Sequence, residues 1–218
     1  MTPLAVGRAL VVFSRPRQWP ILTAQLAVGF LLAQPSGTDL AGLVAPGAVA
    51  VAAGAWLAWV VLLNGGTLAY NSAWDRDTDA VAFLRQPPPP PPRLAAWALA
   101  VMAGGVAVGW AAVGAVFGIL VAVCVALSVL YSHPGARWKS RPGLDLVVNM
   151  AGYGAGTTWA GLLAGRAATG AAAGADEPWL IAGFAPVSYT HLRAHETTSH
   201  ISYAVICLKK GGGGGGGG

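Results

Sequence analysis

Residues 44–79, VAPGAVAVAAGAWLAWVVLLNGGTLAYNSAWDRDTD, decide the fold. From Val44 to Tyr70 there is no charged side chain. About 20 predominantly apolar residues suffice to carry a helix across the roughly 30 Å of bilayer hydrocarbon. The stretch is therefore long enough to span, yet it runs directly into Asp75, Asp77 and Asp79. Carboxylates at the end of a membrane helix are costly unless a cation compensates them.

The rest of the chain agrees with a bilayer as solvent. Its 218 residues are 55% hydrophobic and only 10% charged, against about 25% charged in soluble globular proteins. Mean hydropathy is +0.59. Apolar runs at about 18–34, 44–70, 94–111, 114–132 and 144–165 are candidate spans, with a sixth beginning near Pro178. The stretch from Leu94 to Ser132 is too long for one crossing, and Gly109 and Gly114 bracket a turn that would make it a helical hairpin. The N-terminus reads as a short amphipathic segment rather than a cleavable signal peptide. Two cysteines supply no disulfide framework. The expected fold class is all-α, a polytopic transmembrane helical bundle.

At Val187 the composition changes. VSYTHLRAHETTSHISYAVICLKKGGGGGGGG holds three of the four histidines, loses helical periodicity and ends in eight glycines. The string resembles a sequencing-library adaptor translated in frame and followed by a homopolymer run. Residues 187–218 are accordingly read as a non-native tail, and residues 1–186 as a transmembrane domain cut short within its sixth span. The tail's histidines are not metal ligands on this reading. Residues 1–186 hold ten Lys and Arg and seven Asp and Glu, a net charge of +3 against +5 for the whole chain. So small an excess gives no footing for a nucleic-acid partner.

Charge placement is more informative than the total. Arg8, Arg15 and Arg17 precede the first span; Arg76, Arg85 and Arg93 separate the second from the third; Arg137, Lys139 and Arg141 separate the fourth from the fifth. The alternate connections hold no basic residue except Arg166. The positive-inside rule then puts the N-terminus and the acidic motif in the cytoplasm, for a multi-pass protein of the cell inner membrane. Six prolines, 87–92, cannot continue a helix and favour an extended spacer along the surface.

If the second helix continues through the motif, Asn71, Asp75 and Asp79 fall at i, i+4 and i+8 on one face, about 6 Å apart by helix rise. Asp77 points elsewhere. One carboxamide and two carboxylates suit a hard divalent cation, and Mg²⁺ commonly completes its shell with water and phosphate oxygens. Two competing readings bear on the same acids. They can be solvated charges paired with Arg76 and Arg85. A calcium loop also begins D-x-D-x-D, but Ala80 stands where that loop needs glycine and Gln86 where it needs its closing glutamate. On the same side, YSHPGARWKSRPGLDLVVN (131–149) offers Arg137, Lys139 and Arg141 to phosphate oxygens. Asp145 and Asn149 share a face of the fifth span, as a polar wall or as a helix start.

NSAWDRDTD is similar to the first aspartate-rich motif, N-x-x-x-D-x-x-x-D, of the UbiA-type intramembrane aromatic prenyltransferases. FLRQPPPPPP and YSHPGARWKSRPGLDLVVN look like that superfamily's following loops, and RPRQW resembles the Arg-Pro approach to its first helix. Together these cover most of residues 13–165. The resemblance implies about nine transmembrane helices around a cavity in the full-length parent, five to six of them here. It implies that Asn71, Asp75 and Asp79 bind Mg²⁺ and through it a prenyl diphosphate, with Arg137, Lys139, Tyr131 and Arg15 near the diphosphate. Ser72 stands where the family often has an acid, and the family's second aspartate motif lies beyond residue 186. The implied activity is transfer of an isoprenyl group to a lipophilic acceptor of quinone-precursor, chlorin or carotenoid type, with the 218-residue chain expected to be inactive. A multi-pass transporter or scaffold with a cation-binding acidic cluster is the rival reading.

Overall fold

A computed structural model describes residues 3–35, 37–75, 88–141, 143–172, 174 and 178–186, and among these the regular structure is entirely helical. Helix α1 (Pro3–Phe13) leads through a 3₁₀ turn (Pro16–Gln18) into α2 (Trp19–Leu32). A short α3 (Leu40–Leu43) precedes α4 (Pro46–Asp75). Then come α5 (Leu94–Ala112), α6 (Ala115–Ser132) and a 3₁₀ turn at Trp138–Ser140. Helix α7 is continuous from Leu144–Asn149 through Met150–Gly156 to Thr157–Thr169, and α8 occupies 178–186.

Three helices, α4, α5 and α6, are long and apolar enough to cross a membrane, which marks the chain as a membrane protein. Only about a third of the residues in each apolar window are buried. The outward positions carry Leu57, Trp110, Val116, Ile119 and Val123, an apolar surface that water would not tolerate at this extent. The first expected span is shorter than its apolar run. Helix α2 has 14 residues, about 21 Å at 1.5 Å per residue. The hairpin forms where the glycines place it: the Val113 and Gly114 amides both donate to the Gly109 carbonyl, at 3.0 and 3.2 Å. Gly114 turns the chain at φ 132°, which side chains rarely adopt.

Helix α2 lies against the second half of α7 along a seam of small residues. A Cβ on Gly161 would land on the Leu26 carbonyl oxygen, one on Gly165 on the Phe30 carbonyl, and one on Gly29 on the Thr158 carbonyl. In lipid no hydrophobic gain draws helices together, so backbone approach of this kind and interhelical hydrogen bonds must hold them. Gln25 supplies two such bonds, donating to the Gly154 carbonyl at 2.8 Å and to Thr158 Oγ1 at 3.2 Å.

Two stretches are wound as π-helix, Leu57–Asn64 in α4 and Met150–Gly156 in α7. Such widenings are uncommon and concentrate at functional sites. The buried Trp59 indole, within the first, donates to Thr157 Oγ1 at 3.1 Å, just past the second. Trp59 also packs edge-on against Phe117 of α6. The core around it is built from Phe13, Val60, Leu94, Met102, Phe117 and Val121.

Candidate functional site

Helix α4 runs unbroken through the start of the acidic motif, so Asn71 and Asp75 share one face, a single turn apart. Asp77 and Asp79, with Arg76 and Arg85, lie outside the described residues. Lys139, on the 3₁₀ turn after α6, reaches this face. Its ammonium pairs with Asp75 Oδ1 and donates to Asn71 Oδ1 at 3.1 Å. Ser132, the last residue of α6, donates to the same Asn71 oxygen at 3.0 Å. Burial pulls the Lys139 pKa below the usual lysine value. The side chains of Lys139 and Asp75 are 14% and 20% exposed, between surface and interior.

The two α4 oxygens therefore converge on one positive charge. The carboxylate and the carboxamide already hold an ammonium, and their oxygens are donors of the hard type that Mg²⁺ takes. Among the described residues no three His, Cys, Asp or Glu side chains gather as a metal cluster. Asn71 and Asp75 fit such an ion as part of a shell that water and phosphate oxygens would complete.

Two further polar groups flank this centre. Tyr131 donates its hydroxyl to Asp145 Oδ1 at 2.6 Å, and Asn149 Nδ2 donates to the same oxygen at 3.0 Å and to the Asp145 carbonyl at 2.8 Å. The i, i+4 pair read from the sequence is thus joined across helices by Tyr131. Arg15, only 8% exposed, donates from Nη2 to Ser72 Oγ at 3.2 Å. Arg15 adopts a left-handed backbone (φ 49°), as does Arg137 (φ 44°). Non-glycine residues held there store strain that clusters at functional sites. Arg137 is exposed, and among the described residues no hydrogen bond or ion pair joins it to Asn71 or Asp75.

Of the side chains singled out by sequence, the structure brings Asn71, Asp75 and Lys139 into direct contact. Tyr131 pairs instead with Asp145, Arg15 reaches α4 at Ser72, and Arg137 stands apart. Ser132 joins Asn71 without having been singled out; its only signal was its place after Tyr131. Trp74, packed edge-on to His133 with ring centroids 5.3 Å apart, rims the same end. An apolar cleft of about 110 Å³ lined by Leu10, Val11, Val61, Leu62 and Val101 lies on the other side of α4, against Gly65 and Gly66. It is separate from the polar centre. No protein-family model, curated protein or solved structure matches the chain.

Proposed function

We propose that the chain belongs to an intramembrane prenyltransferase and carries the first aspartate motif of its diphosphate site. One observation carries the reading: Asn71 and Asp75, on one face at the end of a membrane-length helix, direct their oxygens at a single cation. The N-x-x-x-D spacing and the flanking loops, which resemble the UbiA-type enzymes, supply the rest. The proposed bundle, with its N-terminus and acidic motif on the cytoplasmic side, would present this centre to a prenyl diphosphate entering from that side.

In this reading Asn71 and Asp75, with Asp79 where the motif continues, would hold Mg²⁺, which when bound neutralises charge on a departing diphosphate. The chain's own cations act on the same group. Lys139 donates hydrogen bonds to diphosphate oxygens from the loop side, and Arg15, set by Ser72, supplies a second positive charge. Such donors aimed at developing charge are where an active site lowers a barrier most. The carbon–oxygen bond to the prenyl C1 breaks with its electron pair leaving on the diphosphate. A nucleophilic ring carbon of the acceptor bonds to C1, and the ring proton passes to a diphosphate oxygen. The apolar helices keep water from the allylic cation.

The rival reading, a non-enzymatic transporter or scaffold, draws on the Lys139–Asp75 pair, which already neutralises the acid without a metal. Asp75→Asn separates the two. Under the prenyltransferase reading it abolishes Mg²⁺-dependent binding of geranyl diphosphate to the chain in lipid nanodiscs. Unchanged Mg²⁺-dependent binding would reject that reading.

A further inference from the structure

The cleft of about 110 Å³ beside Gly65 and Gly66 is walled by α1, α4 and α5. Its few polar groups are already engaged. Ser14 Oγ donates to the Val11 carbonyl at 2.8 Å, and the Trp19 indole donates to the Ser14 carbonyl at 3.2 Å. The rest of the wall is aliphatic, with Val11 exposed at its edge, so the cleft opens outward from the bundle. Hydrocarbon suits such walls better than water, which needs two to four polar partners. On α5 a Cβ at Gly104, one turn inward from Val101, would meet nothing within 4 Å, which leaves space for a chain to run on along the helix.

The walls change character toward the end of the bundle that carries the acidic motif. Helices α4 and α5 are antiparallel: a Cβ on Gly54 would meet Ala112, one on Gly105 would meet Leu62, and one on Gly66 would meet Met102. Outward along α4 is therefore toward the start of α5. Trp97 lies four residues from Val101 on the same side of α5, about 6 Å further out, and is 46% exposed. Arg93, exposed and in a left-handed backbone (φ 65°), lies about 12 Å out. Arg8, also exposed, stands one turn before Val11 on α1. Among the described residues no hydrogen bond or ion pair holds the side chains of Arg8, Trp97 or Arg93. Residues 1–38 and 80–144 contain no Asp or Glu, so α1 and α5 bring cations here and no acid.

We infer that the cleft is a binding site for one anionic phospholipid, an acyl chain seated beside Gly65 and Gly66 and the phosphate held by Arg93 and Arg8. The order along α5 matches such a molecule from tail to head: aliphatic wall, indole, guanidinium. An indole at the boundary between hydrocarbon and headgroups is favoured there, and the Trp97 N–H can donate to an ester carbonyl. Guanidinium forks match phosphate oxygens. A choline headgroup would set its own positive charge among the arginines, whereas a glycerol headgroup leaves the negative charge unopposed. The bound lipid would fasten α1 to α4 and α5. The inference stands apart from the prenyltransferase reading, since it uses neither Asn71 nor Asp75 and requires no metal.

Native mass spectrometry of the chain in detergent micelles, titrated with dioleoyl phosphatidylglycerol or dioleoyl phosphatidylcholine, reads the affinity of the first lipid bound. The parent is expected to prefer phosphatidylglycerol by about 25-fold, a factor of about five for each arginine. Arg8→Gln and Arg93→Gln should each reduce that preference to about fivefold, and together abolish it. Val101→Phe fills the cleft and should weaken both lipids about tenfold, the loss of roughly two buried methylenes, with the preference kept. Val11→Phe does the same from the opposite wall, and because each ring enters open space the thermal midpoint of the lipid-free chain should hold. Equal affinity of the parent for the two lipids overturns the inference, as does a preference that survives in the double glutamine variant or binding indifferent to both phenylalanines. Competition by glycerol phosphate would reduce the site to one for free phosphate, and displacement by geranyl diphosphate would give the cleft to a prenyl donor; either result also overturns it. Asp75→Asn, which tests the prenyltransferase reading, should leave lipid binding unchanged.

Discussion

Replacing Lys139 by methionine tests whether the oxygens of Asn71 and Asp75 form a site for a metal or merely an ion pair. With side chains 14% and 20% exposed, the pair sits between the surface and buried regimes. Loss of a surface partner costs at most about 1 kcal/mol and loss of a buried one about 3–5 kcal/mol, so Lys139→Met should lower stability by about 1–3 kcal/mol. The same substitution removes a positive charge from the point where a metal would sit. An ammonium and a divalent ion about 4 Å apart repel by about 8 kcal/mol at an effective dielectric constant of 20. Lysine's flexible stem lets the ammonium retreat toward solvent, where screening leaves about a quarter of that. A gain of about 2 kcal/mol corresponds to roughly thirtyfold tighter Mg²⁺ binding. Calorimetric titration of Mg²⁺ into the nanodisc-embedded variant and parent reads this directly. Thermal melts supply the cross-check, because metal bound to the folded state restores about 2.7 kcal/mol at a hundredfold excess over Kd. Geranyl diphosphate with Mg²⁺, which needs the ammonium as a donor, should bind more weakly to the variant even as Mg²⁺ alone binds more tightly. Mg²⁺ affinity equal to or below the parent's would refute the assignment of these oxygens.

Two other substitutions probe the frame. Gly161→Ala drives a methyl onto the Leu26 carbonyl and to within 2.8 Å of Gly29 Cα and Phe30 N, so α2 and α7 must part; a loss of about 1–3 kcal/mol is expected in reversible unfolding from bilayers, with lower protection of the α2 amides in hydrogen exchange. Tyr131→Phe removes the hydroxyl donated to Asp145 and should lower stability by about 1.5–3 kcal/mol, since that bond ends on a carboxylate. Geranyl diphosphate titration of the Tyr131→Phe variant shows whether the hydroxyl also serves the ligand, in which case affinity falls together with stability.

Much of the architecture was legible because lipid imposes coarse rules. Uncharged runs marked α4, α5 and α6, and Gly114 marked the turn between the last two. The i, i+4 relation of Asn71 and Asp75 needed only a continuous helix, which α4 supplies. Helix α2 misled in length, because apolar side chains continue past Leu32 while the chain leaves the helix before Pro35. What stayed hidden depended on contacts between distant residues. Nothing local announces that Ser72 will meet Arg15, 57 positions away, or that Ser132 will share an oxygen with Lys139. The π-helical widenings leave no compositional trace, since Ala, Trp, Val and Leu serve either winding equally well. Asn64 lies unmarked in a long apolar run, and its burial shows only in the fold.

The glycine seam also sets an order of assembly. Gln25 of α2 and Thr158 of α7 are 133 residues apart in the chain. At about 5–20 residues per second of synthesis, the first of them waits roughly 7 to 27 seconds for the second to emerge. Throughout that interval α2 lies in the nascent bundle with its notched flank bare. Whatever shelters that flank, lipid tails or an insertion chaperone, must let go when α7 arrives, so α7 acts as the latch on α2.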